Sequence, residues 1–273
     1  MPRPTVPAAC VRANLPAAPA KFLEPGPAWA RGCANAALVV VLLLGGGPAA
    51  VAADTSAFDQ MLRAHVRDGR VDYPAFQQDA AFKRHVAELA RPATLATRSA
   101  QLAYHINAYN ALAIEGILDG LSPSTLLGQL RYFKLRDWPL NGSEISLYDL
   151  EHKVLRPLGE PRIHFAIVCA SRSCPELRAE AYGEATLDAQ LDEQARRFVN
   201  DPSRNRYDKT TKTAHLSAIF RWFDDDFRGA GSVQKFIARY VADPEVAQDL
   251  ANDAYRIEWL TYDWNLNGTP PRS

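Results

Sequence analysis

Residues 161–178 of this 273-residue chain bring one histidine and two cysteines close together. The segment reads PRIHFAIVCASRSCPELR and contains His164, Cys169 and Cys174. A cysteine thiolate is a nucleophile, and a nearby imidazole can take the proton of its thiol. Two cysteines at this spacing can instead form a disulfide, which on a chain-entropy argument contributes about 2 kcal/mol of stability. The segment therefore predicts either a thiol-based catalytic site or a structural cross-link.

Cys174 is the better candidate for a nucleophile. Pro175 follows it, and proline is favoured at the first position of a helix, so a helix over residues 176–181 would place the thiol at a helix N-terminus. There the helix dipole, together with the charge of Arg172, would lower the pKa of the thiol. The structural alternative is that Cys174 is a half-cystine or a capping residue.

His164 is the candidate base for this site. It lies in Ile163–Val168, which is otherwise apolar on both faces and predicts a buried strand at the centre of a sheet. A catalytic imidazole needs a further group that orients its ring. Four residues are candidates for that group: Asn107, Asn110, Glu151 and Asp263. The structural alternative is a hydrogen-bonded histidine in the core.

The longest helical pattern, Ser99–Leu118, carries several polar residues among apolar ones. Asn110 borders its apolar stripe, so its amide should be buried and hydrogen-bonded, either to a neighbouring loop or to a catalytic ring. Asn107 is displaced from the stripe and should face a loop or a cleft. Asn107 and His105 are therefore candidates for ligand binding.

Two clusters near the C-terminus mix aromatic and acidic residues. They are FRWFDDDF at residues 220–227 and YDWNLN at residues 262–267. Such clusters can line a cleft for a polar ligand or can cap the core. On the first interpretation, Trp222 and Asp263 bind a ligand, together with Arg172.

The chain shows no motif that predicts a metal or another cofactor. A zinc site built from His152, His164, Cys169 and Cys174 is conceivable, but neither an H-x-x-x-H nor a C-x-x-C pattern supports it. We therefore predict no cofactor.

The N-terminal residues have the pattern of a secretory signal. Four basic residues precede an apolar run, Ala36–Leu44, and small residues suited to a signal peptidase follow at positions 50–53. The run is too short for a membrane span, which needs roughly 20 residues. We predict that residues 1–53 are a leader that is removed, that residues 54–273 form a single domain, and that this domain is periplasmic or secreted. The alternative is an uncleaved anchor.

The charge of the chain limits its partners. The sequence has 31 basic and 31 acidic residues, and loss of residues 1–53 would remove more bases than acids. The weakly acidic net charge of the remaining domain gives no electrostatic reason to bind nucleic acid or anionic lipid. The expected partner is an unknown small molecule or envelope ligand, with no stable membrane anchor after cleavage.

The remaining periodicities predict an α+β fold, with several helices around a small, mainly antiparallel sheet. Helical patterns cover Ser56–Asp68, Ala80–Ala90, Thr186–Val199, Ala218–Phe227 and Val233–Val241, and Ser146 predicts a capped helix through Arg156. Strands are predicted at 206–207, 213–216 and 255–262, and Asn141-Gly142 predicts a turn.

Five segments of the chain resemble the bacterial members of a domain family of unknown function, DUF547. They are YHINAYNA at 104–111, LYDLEHKVLR at 147–156, residues 161–177, LSAIFRWFDDDF at 216–227 and YDWNLN at 262–267. The segments occur in the family's order, and the range from the first to the last spans most of the predicted mature domain. One departure is His105, where the family usually has tryptophan.

The resemblance implies no established activity. The family is in turn distantly similar to papain-like and transglutaminase-like thiol enzymes, in which a long central helix is followed by strands that carry the histidine. Those enzymes have a cysteine at the start of the central helix, and this chain has none there. Two hypotheses follow. One is a thiol-dependent acyl-transfer or hydrolytic enzyme with Cys174, His164 and either Asn110 or Glu151. The other is a non-catalytic binding module.

Overall fold

The structure, a computed structural model, describes residues 55–272 of the chain. Helices predominate in this part. The α-helices are α1 Ser56–His65, α2 Tyr73–Gln78, α3 Ala80–Glu88, α4 Arg98–Leu118, α5 Leu126–Leu130, α6 Leu147–Asp149, α7 Leu187–Val199, α8 Ala218–Trp222, α9 Asp224–Phe227, α10 Val233–Ala238 and α11 Pro244–Ala251. Two π-helical segments, Arg131–Leu135 and Leu150–Leu155, extend α5 and α6.

The strands are short and form three small sheets. They are β1 Val66–Arg67, β2 Arg70–Asp72, β3 Asp137–Leu140, β4 Ser143–Ser146, β5 Arg206–Asp208, β6 Thr213–Leu216, β7 Arg256–Trp259 and β8 Gly268–Thr269. The pairs β1–β2, β3–β4 and β5–β6 are antiparallel, whereas β2–β8 and β6–β7 are parallel. The predicted α+β class, with mainly antiparallel strands, is confirmed. The strands are distributed among three sheets, however, and do not form one.

Helix α4 lies at the centre of the larger hydrophobic core. Its Thr97 cap accepts a hydrogen bond from the Ala100 amide at 3.0 Å, and Gly120 follows its end with a φ of +80°. The side chains of Leu102 and Ile106 are fully buried, because α2, α3 and the segment 147–155 pack around the helix. This is the long helix that the apolar stripe predicts.

The predicted strand at Ile163–Val168 is wrong. Residues Pro161–Phe165 form a 3₁₀ helix, and the chain then runs on without a strand partner. The side chain of Asn110 explains the difference. Its amide donates to the Ala166 carbonyl at 2.9 Å, and its carbonyl accepts from the Val168 amide at 2.9 Å. One asparagine thus supplies the hydrogen bonds that a neighbouring strand would otherwise supply.

The predicted helix over residues 176–181 is absent for a similar reason. Amide side chains bind the backbone of this loop in place of helical hydrogen bonds. Gln194 donates to the Glu176 carbonyl at 3.0 Å, and Gln190 donates to the Ala181 carbonyl at 2.9 Å. Cys174 therefore does not lie at a helix N-terminus.

Three other elements differ from the sequence-based expectation. The first helix ends at His65, because the chain turns into strand β1. The predicted helix Ala218–Phe227 is interrupted at Phe223, which separates α8 from α9. Helix α11 begins at Pro244 behind an Asp243 cap and had no predicted counterpart.

The turn at Asn141-Gly142 is confirmed and joins β3 to β4, with φ values of +51° and +77° that suit a hairpin turn. Between residues 55 and 272, no helix is long and apolar enough to cross a bilayer. The predicted leader lies outside the described residues.

Candidate functional site

A cleft of about 390 Å³ with mainly apolar walls lies in the described part of the chain. Its walls are mainly aromatic and aliphatic and come from helix α4, the α5 region and the segments that flank His164, Trp222 and Tyr262. The polar or sulfur-containing residues in its lining are fewer: Gln129, Lys134, Glu151, His164, Cys169, Cys174 and the tyrosines Tyr109, Tyr148 and Tyr262. An apolar cleft with a few convergent polar groups is the usual form of a small-molecule site.

Glu151 and His164 meet at the buried end of this cleft. The Oε1 atom of Glu151 lies 3.8 Å from Nδ1 of His164, and both residues are buried. Glu151 is positioned by the π-helical segment that follows the Ser146 cap, and His164 by the 3₁₀ helix. The Nδ1 atom has no hydrogen-bond partner. A buried ring nitrogen without a partner is uncommon, and here it faces a carboxyl group beside the cleft.

The other ring nitrogen of His164 is held by Asp226. The Nε2 atom lies 2.7 Å from Oδ2 of Asp226, and the ring of Phe223 stacks on the imidazole at a centroid distance of 3.9 Å. Arg156 donates two hydrogen bonds to the same carboxylate, at 2.6 and 2.8 Å. An ionised Asp226 can only accept a hydrogen bond, so Nε2 of His164 must carry a proton. When the imidazole is neutral, its Nδ1 atom therefore has a lone pair.

The surroundings shift the pKa values of these groups in opposite directions. Burial raises the pKa of Glu151 to about 7, although the positive charge of Arg156 acts to lower it. Burial lowers the pKa of His164, although Asp226 opposes this effect. Burial alone would raise the pKa of Asp226, but hydrogen bonds from His164 and Arg156 hold it well below its ordinary value. Near neutral pH the site therefore pairs a neutral imidazole with a carboxyl group that retains its proton in part.

Cys169 and Cys174 are joined by a disulfide on the cleft wall. The hydroxyl of Tyr262 lies 3.1 Å from the Cys174 sulfur and 3.1 Å from the hydroxyl of Ser171. The amide of Cys169 also points at the Cys174 sulfur, at 3.0 Å. Of the two outcomes that the cysteine spacing allowed, the structure contains the cross-link. A disulfide sulfur is not a thiolate, so Cys174 has no free thiol in this state.

The structure brings some of the predicted site residues together. Cys174, His164, Glu151 and Trp222 all line the cleft. In the described part of the chain, however, no hydrogen bond joins His164 to Cys174. The residue that orients the histidine ring is Asp226. Asn110 cannot do so, because its amide is occupied by the backbone of residues 166 and 168.

Four predicted binding residues do not line the cleft. The amide of Asn107 is buried and makes two hydrogen bonds to the backbone of Tyr182, at 2.8 and 2.9 Å, so it faces a loop. His105 binds the Gln101 carbonyl one helical turn earlier, at 2.7 Å. The side chain of Arg172 is exposed. Asp263 accepts hydrogen bonds from Asn265, two residues later, at 2.7 and 2.9 Å.

Sequence reasoning missed Asp226 and Arg156 as parts of the site. Arg156 forms an ion pair with Asp226, in which its Nε atom lies 2.6 Å from Oδ2. Asp226 is one of three consecutive aspartates, and the interruption at Phe223 turns this one toward His164. The run of acids after an aromatic cluster was visible in the sequence, but the break in the helix was not.

No group of three or more histidine, cysteine or acidic residues suited to a metal ion occurs among residues 55–272. The four residues of the conceivable zinc site do not converge, because Cys169 and Cys174 bind each other and His152 binds the Tyr148 carbonyl at 3.0 Å.

Comparison with known proteins gives one positive result. No curated protein and no solved structure matches the chain, so the similarity to papain-like and transglutaminase-like enzymes stays a prediction. Residues 93–199 match the family model described as "Protein of unknown function, DUF547". This range contains helix α4, Glu151, His164 and both cysteines of the disulfide, whereas Asp226 and Tyr262 lie beyond it. Over these residues, the chain is similar to the DUF547 family.

Proposed function

We propose that the protein is a hydrolytic or acyl-transfer enzyme in which Glu151 and His164 transfer protons at the buried end of the cleft. One observation carries the proposal. The unpartnered Nδ1 atom of His164 faces the carboxyl group of Glu151 at 3.8 Å, while Asp226 fixes the opposite nitrogen. Pairs of titratable groups with pKa values moved by their surroundings, in a cleft, are typical of acid–base catalysis.

The chemistry follows from the protonation states. The Nδ1 atom of His164 takes a proton from a water molecule as the water oxygen attacks an acyl carbon of the substrate. The carboxylic acid of Glu151 gives its proton to the leaving group as the bond to the acyl carbon breaks. Transfer of the imidazolium proton to Glu151 then restores both groups. General acid–base catalysis of this kind contributes on the order of 10²- to 10⁴-fold in rate.

Cys174 gives the enzyme a second route when the disulfide is reduced. A free Cys174 thiol in the same cleft would be the nucleophile, with His164 as its base, as the sequence suggests. This route needs a reductant, whereas the water route does not. The two routes therefore make opposite predictions about the effect of a reducing agent.

Hydrolysis of p-nitrophenyl esters of short and medium acyl chains, without and then with dithiothreitol, tests the proposal. We expect turnover without reductant, loss of it in His164→Asn, and retention in His215→Asn, a matched histidine outside the cleft. Turnover that appears only with reductant and disappears in Cys174→Ser would support the thiol route instead. Equal rates in His164→Asn and the unmodified protein would show that the proposed base is wrong.

A second candidate function is ligand binding without catalysis. It is favoured by the disulfide, which removes the thiol, and by the aromatic wall of Trp222, Tyr262 and Trp264, whose ring centroids lie 4.6–5.8 Å apart. In this case Trp222→Ala would weaken the binding of a small envelope molecule identified by ligand screening, and His164→Asn would leave it unchanged. No ester of the series would be hydrolysed.

We also propose that the protein is exported to the periplasm or secreted. The disulfide supports this, because structural disulfides persist mainly in oxidising compartments. The intact mass of protein recovered from the periplasmic or extracellular fraction tests it. A chain that begins near residue 53 or 54 is expected, and a mature chain that retains Ala36–Leu44 would contradict the proposal.

A further inference from the structure

An unusual number of exposed leucines lies beside the mouth of the cleft. Six large hydrophobic residues are exposed in the described part of the chain, and four of them are Leu126, Leu127, Leu130 and Leu135. Leu126 is 85% exposed and Leu135 is 66% exposed. Single exposed leucines need no explanation, but a cluster of this kind marks an interaction surface. We refer to residues 126–136 as the leucine segment.

The leucine segment is held in a defined position. Helix α5 continues directly into the π-helical turn Arg131–Leu135, and Tyr132 anchors this turn by donating a hydrogen bond to the Ala113 carbonyl of α4 at 2.8 Å. At its start, Gly128 lies so close to the Ser122 carbonyl that a Cβ atom would be only 2.1 Å from it. The leucines therefore point outward from a segment that is fixed to the core.

The exposed charges of the leucine segment are all positive. Arg131, Lys134 and Arg136 are exposed, and the segment contains no acidic residue. Lys134 lies over the ring of Tyr148 at 4.1 Å, and Arg136 pairs with Asp119 at 2.7 Å. Leucines flanked by basic side chains are typical of helices that lie in the headgroup region of an anionic membrane.

We propose that the leucine segment is a peripheral docking surface for anionic lipid bilayers. The leucines enter the boundary between headgroups and acyl chains, and the basic side chains contact the lipid phosphates. The weakly acidic charge of the whole domain does not predict this, because the attraction is local and acts within about 10 Å of the surface. The binding is reversible and is distinct from a membrane anchor.

The position of the surface also connects it with the cleft. Leu126, Leu130, Phe133 and Lys134 line the cleft as well as belonging to the leucine segment. A docked protein would therefore bring its cleft to the membrane, where amphipathic molecules with acyl chains are concentrated. The docking itself goes beyond the proposed hydrolysis and does not depend on it.

Hydrogen exchange of the full chain, read peptide by peptide, tests the proposal locally. The probes are vesicles of phosphatidylcholine alone and vesicles that also contain phosphatidylglycerol. We expect peptides covering residues 126–136 to be protected by the anionic vesicles and not by the neutral ones. Peptides covering β5 and β6 should be unaffected. Because exchange is read for each peptide, protection of residues 126–136 can be distinguished from membrane binding by the apolar run Ala36–Leu44.

Two variants and a control complete the experiment, and each is compared with and without vesicles. Leu126→Ser with Leu127→Ser, and Arg131→Glu with Lys134→Glu, should each abolish the protection. Trp259→Ser changes an exposed aromatic residue outside the segment and should not. Absence of protection, equal protection by neutral vesicles, or protection without vesicles that grows with protein concentration would overturn the proposal. The last result would assign the surface to a second copy of the chain.

Discussion

The Nε2 atom of His164 lies 2.7 Å from the Oδ2 atom of Asp226, although the two residues are 62 positions apart in the chain. This contact fixes which ring nitrogen carries the proton and leaves Nδ1 directed toward Glu151. Arg156 binds the same carboxylate, so Asp226 remains ionised and the ring cannot turn freely. The contact thus sets the tautomer of the proposed base and its orientation together.

Asp226→Asn should reduce ester hydrolysis by on the order of 10²- to 10⁴-fold. An asparagine amide can donate a hydrogen bond to the ring, which would favour the tautomer with its lone pair on Nε2. Steady-state rates of folded protein measure the effect. Asp225→Asn is the matched control, because Asp225 is the exposed neighbour and pairs with Arg228 at 2.8 Å. Equal losses in the two variants would remove Asp226 from the mechanism.

The pH dependence of stability should differ between the unmodified protein and Glu151→Gln. Burial raises the pKa of Glu151 from its ordinary value of 4.5 to about 7, so the folded state keeps a proton that the unfolded chain releases between these values. The free energy of unfolding of the unmodified protein should therefore fall, relative to the variant, as the pH rises from 4.5 to 7. It should level off above pH 7.

The expected size of that fall is about 3 kcal/mol, since one pH unit corresponds to about 1.4 kcal/mol for one proton. Denaturant melts at a series of pH values measure it. The contributions of titrating groups that behave alike in both proteins cancel when the two free energies of unfolding are subtracted. Parallel curves for the two proteins across this range would show that Glu151 titrates normally.

The sequence predicted the elements with strong local signals. Helix α4 has a long apolar stripe that ends at Gly120, and the hairpin β3–β4 has its Asn141-Gly142 turn. The segment after Pro161 was misread as a strand, because its apolar residues are buried on all sides as in a central strand. What pairs its backbone is the side chain of Asn110, a tertiary contact that no local pattern reveals.

The candidate site was predictable only in part for the same reason. His164, Glu151, Cys174 and Trp222 could be chosen by residue type, and they line one cleft. Asp226 could not be chosen, because its role depends on a break in a helical pattern and on a contact between distant parts of the chain.

Asn107→Ala and Asn110→Ala should each lower the free energy of unfolding by about 2–6 kcal/mol. Each asparagine satisfies one buried backbone donor and one buried acceptor, and an unsatisfied buried group costs about 1–3 kcal/mol. Asn107 is displaced from the apolar stripe and Asn110 borders it, but both side chains are buried, so we expect effects of similar size. Denaturant melts test this, with Asn252→Ala as an exposed control. Two neutral variants would contradict the hydrogen-bond assignment.

The disulfide should block alkylation of Cys169 and Cys174 until it is reduced. After reduction under native conditions, iodoacetamide should modify Cys169 before Cys174, because Cys174 is only 2% exposed and Cys169 is half-buried. Peptide mapping by mass spectrometry measures the order in which the two cysteines are modified. Reduction should also lower the free energy of unfolding by about 2 kcal/mol. Alkylation of Cys174 without reductant would show that its thiol is free. Cys174 would then be a candidate nucleophile without prior reduction.

The titration of the Glu151 side-chain carboxyl carbon, followed by ¹³C NMR and assigned by its absence in Glu151→Gln, tests the central claim most directly. The claim is that a buried carboxyl group retains its proton close to neutral pH beside the neutral ring of His164. We predict a midpoint near pH 7, accompanied by a change in the His164 ring signals. A midpoint near the ordinary value of 4.5 would contradict the claim, because Glu151 would then be ionised throughout the neutral range and could not act as the acid.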